Sequence, residues 1–275
     1  MRRGDALVAG FVGAIVVAVI SLIATAPRRP EPALVVSAAD SARPESTAVG
    51  AAAAGGDSAR LTATTRSGHE IEVRTVRSGN PAPVRDLETI RRHLRLGAPG
   101  TYIGDILAEQ DSELVRWPDE TVLKVWIQPR SGVRDWNEAY VDSVQAGFRA
   151  WMQAGAPVGA SFVRDSSAAN VRIRWIDRFE GSYAIGLTRQ TWDQYNWIVA
   201  GDIDIAMHAS DGWTLPPELV RATAIHEIGH LMGLRHSSNP RDVMSATASR
   251  ESLELTRADL STLRLLYALP PGSVR

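Results

Sequence analysis

Hydrophobic and polar positions fall into regular patterns mainly in the C-terminal part of this 275-residue chain. Thr121 to Ile127 is β-branched and apolar and predicts a strand. From Asp135 to Gln153, Val141, Val144, Phe148 and Trp151 recur every three to four residues, which predicts an amphipathic helix with Gly155 as its stop. Val171 to Trp175 and Asp202 to Met207 alternate as half-buried strands do. A further helix starts near Pro216-Pro217-Glu218, where proline suits the first turn, and ends at Gly233. Thr256 and Asp259 form a capping box that opens a last helix through Leu260, Leu263, Leu266 and Tyr267. This order predicts an α+β domain with a twisted mixed sheet over residues 113–275.

Upstream the patterns are weaker. Ile71 to Val76 alternates like a strand, and Asp86 to Leu96 sets Leu87, Ile90 and Leu94 on one helix face. Residues 60–112 read as a prosegment or a linker with local structure. Residues 31–59 are rich in Ala, Pro, Ser and Gly, as a flexible tether would be. Residues 1–30 read as an export or anchoring segment. Arg2 and Arg3 precede an uncharged run from Ala6 to Ala26, 21 residues long and sufficient to span a bilayer as a helix. Cleavable signals have shorter apolar regions, and Pro27 is poorly suited to cleavage. An uncleaved membrane anchor is the preferred expectation, a removed signal the alternative. Either puts the C-terminal domain outside the cytoplasm.

Composition narrows the chemistry. Lys and Arg total 30 against 31 Asp and Glu, so the net charge of -1 gives no reason to expect nucleic acid. The absence of cysteine removes disulfides, thiolate metal ligands and a cysteine nucleophile. All eight tryptophans lie between Trp117 and Trp213, which places the packed core there. Trp126, Trp151 and Trp175 are expected in that core. Nothing in the sequence fixes an oligomeric state.

The chemistry is concentrated in residues 224–236, Ala-Ile-His-Glu-Ile-Gly-His-Leu-Met-Gly-Leu-Arg-His. Residues four apart share a helix face, so His226 and His230 can aim at one metal ion. Gly233 can take the left-handed conformation that ends a helix, and the returning chain then delivers His236. Three protein ligands and an open position are the arrangement of catalytic zinc, whereas structural sites are closed by four. Glu227, beside the first ligand, is placed to act as general base toward a zinc-activated water. The expectation is one zinc ion per chain.

The stretch from about Trp117 to Leu269 resembles the metzincin metallopeptidases, and within them the matrixin-like group. The extended motif His226-Glu227-x-x-His230-x-x-Gly233-x-x-His236 is complete. Met244 follows the third histidine by eight residues, as the family's Met-turn would, and Ser237 stands where matrixins have serine. Gly201-Asp202-Ile203-Asp204 through Trp213-Thr214 resembles the matrixin strand above the cleft. The resemblance implies that Asp202, Ile203, Asp204 and Ile205 pair with an extended peptide or protein substrate. The family's calcium ions and second zinc have weaker counterparts. Asp193, Asp202, Asp204 and Asp211 could contribute to calcium but read as scattered surface aspartates, and His208 is the sole histidine near the relevant strand. The segment after Met244, Ser245 to Ser249, lacks the Tyr-Pro that shapes the family's specificity pocket.

Three functions compete on the sequence. The first is a zinc endopeptidase cutting internal peptide bonds. The second is a non-catalytic zinc-dependent peptide-binding module, against which Glu227 argues, because metal binding alone does not need it. The third is a zinc hydrolase acting on a non-peptide amide.

Overall fold

In the computed structural model, residues 59–64, 70–246 and 253–274 are described, with backbone alone for those before residue 74. The described residues belong to one compact unit, Gly55–Arg275. The expected anchor, and the expected tether but for its last residue, lie outside the described residues. None of the described helices is long and apolar enough to cross a membrane.

Seven strands form one sheet: β1 (Ala59–Thr64), β2 (Glu70–Val76), β4 (Val122–Ile127), β5 (Gly159–Phe162), β6 (Val171–Ile176), β7 (Gly186–Asp193) and β8 (Ile198–Ala206). Their spatial order is β1-β2-β7-β8-β6-β4-β5. β8, β6, β4 and β5 run parallel, β7 is antiparallel to β8, and β2 is parallel to β7. A small second ladder joins β3 (Glu113–Leu114) to β9 (Gly272–Ser273). The helices are α1 (Leu87–Gly97), α2 (Ile103–Glu109), α3 (Ala139–Gln153), α4 (Pro217–Leu231) and α5 (Arg257–Tyr267). The expected α+β architecture is the one observed.

α3 and α4 pack against each other, and α4 lies along β7 and β8. Tryptophans tie these layers together. Trp151 Nε1 donates to the Ile225 carbonyl at 2.9 Å, and Trp117 Nε1 donates to that of Leu231 at 2.8 Å. Each buries its ring while satisfying its one donor, which is how tryptophan enters a core without penalty. Trp175 does the same against Gln128. Trp126 departs from expectation. It is half-buried, because Leu123, Val125 and Ile127 take the inward positions and a period of two leaves it on the opposite face.

α3 starts at Ala139 rather than Asp135. Asp135 has φ 62, outside the right-handed helical region, and its carboxylate is engaged by His208 and Thr214. The capping box opening α5 is present as expected, with Thr256 and Asp259 each bonding the other's backbone.

No break in packing falls at residue 113, the boundary expected from the sequence. Ile90, Ile103 and Ile106 join the same buried cluster as Leu263 and Leu266 of α5. Tyr102 N–H donates to Thr262 Oγ1, and Arg85 donates to the carbonyls of Pro271 and Ser273. Residues 85–112 therefore complete the hydrophobic core of the C-terminal domain.

Candidate active site

α4 carries the first two imidazoles. Pro216 stands at its N-cap in extended conformation and Pro217 occupies the first turn. Most of the helix is itself buried, including Val220, Ile225, Ile228 and Leu231. At the other end Gly233 has φ 104. Its N–H donates to the His230 carbonyl at 2.8 Å, and Leu234 N–H donates to that of Gly229 at 3.0 Å. This is the Schellman pair of helix-ending bonds. A Cβ at Gly233 would collide with the Val115 carbonyl oxygen, so conformation and space both require glycine. The reversal brings His236 back to the helix.

The three imidazoles converge. His230 Nε2 lies 3.1 Å from His226 Nε2 and 3.2 Å from His236 Nε2. A tetrahedron with metal–nitrogen bonds of about 2.0–2.1 Å has edges of about 3.3–3.4 Å, so these separations fit zinc. The other ring nitrogens fix the tautomers. His226 Nδ1 is 2.7 Å from the Val243 carbonyl and His230 Nδ1 is 2.9 Å from that of Leu234. A carbonyl only accepts, so each Nδ1 carries the proton and each Nε2 presents its lone pair. Burial pushes the His226 imidazole below its ordinary pKa, and burial followed by repulsion from His226 and His236 pushes His230 well below. Both shifts favour the neutral form that a metal requires. His226 and His236 are half-buried, so the cluster keeps a side toward solvent. Among the described residues it is the one group of three or more His, Cys, Asp or Glu close enough to share an ion.

Glu227 is buried beside this cluster. Thr188 of β7 lies over it, with Oγ1 2.6 Å from Glu227 Oε2. Gly186, two residues earlier on the same face of β7, leaves the space that the carboxylate fills. Gln190, two residues later, donates from Nε2 to the His230 carbonyl at 2.6 Å and accepts from Arg235 Nη2 at 3.0 Å. One face of β7 thus holds the general-base candidate, one candidate ligand and the chain next to another. The sequence reading missed all three positions. Inward positions filled by Thr and Gln carry no hydrophobic alternation.

Met244 is fully buried, its sulfur against Gly229 of α4. The turn before it is tied by Ser237 N–H to the Met244 carbonyl at 2.8 Å and by Ser237 Oγ to Asp242 at 2.6 Å. Asp259 of α5 accepts from the backbone N–H groups of Val243 and Met244 and from the Tyr102 hydroxyl. The sequence showed Asp259 only as half of a capping box.

The strand expected to bind substrate does not have an open edge. Asp202, Ile203, Asp204 and Ile205 lie in β8, paired with Arg172 to Trp175 of β6 on one side and with Gly186 to Arg189 of β7 on the other. Their backbone groups are committed to the sheet. The strand beside Glu227 is β7. The expected surface aspartates are also different in place. Asp193 and Asp204 are buried. Asp193 accepts from Ser78, Asn80 and the backbone of Tyr195 and Trp197. Asp204 pairs with Arg174 and Arg189, Asp202 faces Arg174, and Asp211 caps the Trp213 N–H. His208 is buried between Asp177 and Asp135, at 2.7 Å and 3.2 Å.

The family model described as Matrixin matches residues 116–268, more than half of the chain. Over 79 residues the chain is 35% identical to Metalloendoproteinase 2-MMP of Arabidopsis thaliana, covering 28% of this chain and 20% of that protein. Over 81 residues it is 35% identical to Metalloendoproteinase 1 of Glycine max, covering 29% and 24%. Over 76 residues it is 32% identical to Probable matrix metalloproteinase 095L of Invertebrate iridescent virus 3, covering 26% and 21%. The chain thus spans about a fifth to a quarter of the length of these curated relatives. Together with the extended zinc-binding motif and its geometry, the match over 116–268 means that this chain belongs to the matrixin family.

Proposed function

We propose that the chain is a zinc-dependent endopeptidase that cuts internal bonds of extended peptides. The observation that carries this reading is the convergence of three Nε2 lone pairs beside a buried carboxylate held by Thr188. His226, His230 and His236 are the proposed ligands. When bound, zinc supplies Lewis-acid chemistry, lowering the pKa of a water and polarising the scissile carbonyl. Glu227 accepts the proton of the attacking water at its carboxylate and passes it to the leaving amine. Thr188 and Gly186 keep that carboxylate in place.

Substrate is taken along β7. Gly186 to Arg189 pair with β8 on one side, while the β2 ladder covers the other edge only from Gln190 onward. An extended peptide adding its backbone to that edge would lie across Glu227. The Glu227 carboxylate also distinguishes this reading from a binding module, which has no use for a base.

We also infer that residues 1–26 hold the protein at a membrane with the active site outside the cytoplasm. The support is the 21-residue uncharged run after Arg2 and Arg3. Full-length protein should then resist carbonate extraction. A soluble product beginning at Pro27 would replace the anchor by a removed signal.

The activity is tested by offering the full chain a randomised peptide library with and without chelator. Internal cleavage that chelator abolishes and zinc restores is the expected result. Peptide binding without cleavage would replace the endopeptidase by a binding module.

A further inference from the structure

The third imidazole differs from the other two in what faces its Nδ1. His226 and His230 each turn Nδ1 to a main-chain carbonyl. His236 turns Nδ1 toward a side chain, with Glu109 Oε1 at 4.0 Å and both side chains mostly buried. Glu109 is the last residue of α2 and lies outside the span 116–268 that matches the family.

α2 grips the segment around His236 at several points. Asp105 Oδ2 accepts from the Ser238 N–H at 2.9 Å. Gln110, with its amide oxygen turned to accept, receives Arg235 Nε at 2.9 Å and Nη2 at 2.7 Å. Asp105 and Glu109 are four residues apart and share one helix face. That face therefore meets residues 236 and 238, and the C-cap Gln110 meets Arg235. α2 is itself fixed, with Ile103 and Ile106 buried in the core and Tyr102 bonded to Thr262 and Asp259. A carboxylate thus faces a candidate metal ligand.

We propose that Glu109 is a positioning residue for zinc, acting through His236. Across 4.0 Å, longer than a hydrogen bond, its carboxylate faces Nδ1 and favours electrostatically the ring orientation that keeps Nε2 toward the other two. It also supplies negative charge close to a site that would otherwise hold a dication on three neutral ligands. Metal-bound histidines commonly use a carboxylate in this way. The inference rests on the reading that His226, His230 and His236 hold zinc. It assigns residues 103–109, upstream of the family match, a part in the metal site.

The test is zinc affinity of the full chain, measured by competition with a chromophoric chelator, for wild type, Glu109→Gln, Glu109→Ala and Asp105→Asn. Melting temperatures are taken in excess chelator to report the fold alone. Wild type that binds no zinc would defeat the underlying reading rather than this one. Given wild-type binding, Glu109→Gln and Glu109→Ala should each weaken zinc about 10- to 100-fold, the range for losing such a partner. Asp105→Asn should stay within about twofold of wild type. If Glu109→Ala fails to fold, Glu109→Gln decides, since it preserves size and polarity and removes only the charge. Zinc affinity unchanged in Glu109→Gln would reduce Glu109 to a counter-ion for Arg235 and overturn the proposal. So would an equal loss in Asp105→Asn, which would trace the effect to docking of α2.

Discussion

Thr188 Oγ1 lies 2.6 Å from Glu227 Oε2 and 3.0 Å from the Glu227 carbonyl oxygen. One hydroxyl has one proton, and the shorter contact to a carboxylate is the stronger claim on it. The strand beside Glu227 thereby orients the proposed general base. Thr188→Val keeps the branched shape and loses the proton. It should lower kcat about tenfold, the worth of a hydrogen bond of about 1.5 kcal/mol to a charged group, with KM and zinc content little changed. Thr188→Ser should restore most of the rate. A Thr188→Val variant with wild-type kcat would remove this role.

Gly186 is set by the same carboxylate. A Cβ there would lie 2.7 Å from Glu227 Cγ and 2.8 Å from Cδ, closer than real side chains approach. Gly186→Ala should therefore displace Glu227 and cost at least as much kcat as Thr188→Val, while zinc stays bound. Steady-state kinetics and metal analysis check this together. Unchanged kcat would show that the carboxylate has room elsewhere.

Gly233 is a structural counterpart. At φ 104 and against the Val115 carbonyl, Gly233→Ala should lose about 1–3 kcal/mol from backbone conformation alone. Urea unfolding of the metal-free protein measures it. A midpoint equal to wild type would contradict the account of how the helix ends.

Acid should weaken the Asp135–His208 contact. The hydrogen bond from His208, followed by that from Thr214, holds the Asp135 carboxyl below its ordinary value of 3.8. A folded pKa below the unfolded one gives stability that is present above pH 3.8 and lost as the pH falls through the folded value. The melting-temperature gap between wild type and Asp135→Asn, measured in chelator, should therefore narrow from about pH 6 to about pH 3. A constant gap would place the contribution of Asp135 outside its charge.

Much of this site was legible before the structure. His226, His230, Gly233 and His236 state a helix, its end and a third converging imidazole within eleven residues, because all of that geometry is local. Thr256 and Asp259 declare their helix start for the same reason. What was illegible is long-range. Alternation in Asp202 to Ile205 showed a strand but could not show which of its edges another strand covers. β7 escaped because its inward Thr188 and Gln190 are polar, stabilised by hydrogen bonds to α4 and not by apolar contact. Glu109 approaches His236 across more than a hundred residues of chain, and no spacing rule connects them. Residues 85–112 looked separable because their few apolar positions share a core with α5, more than a hundred residues away in sequence.

The most direct test of the central claim is the Glu227→Ala variant, assayed for zinc content and peptide hydrolysis in one preparation. Glu227 stands beside the three imidazoles and outside the proposed ligand set, so zinc should remain near one equivalent. Hydrolysis should fall at least about a hundredfold, the scale for losing a general base. His236→Ala provides the contrast, since zinc affinity and hydrolysis should fall together when a ligand is removed. Near wild-type turnover in Glu227→Ala would contradict the assignment of the general base and with it the proposed mechanism.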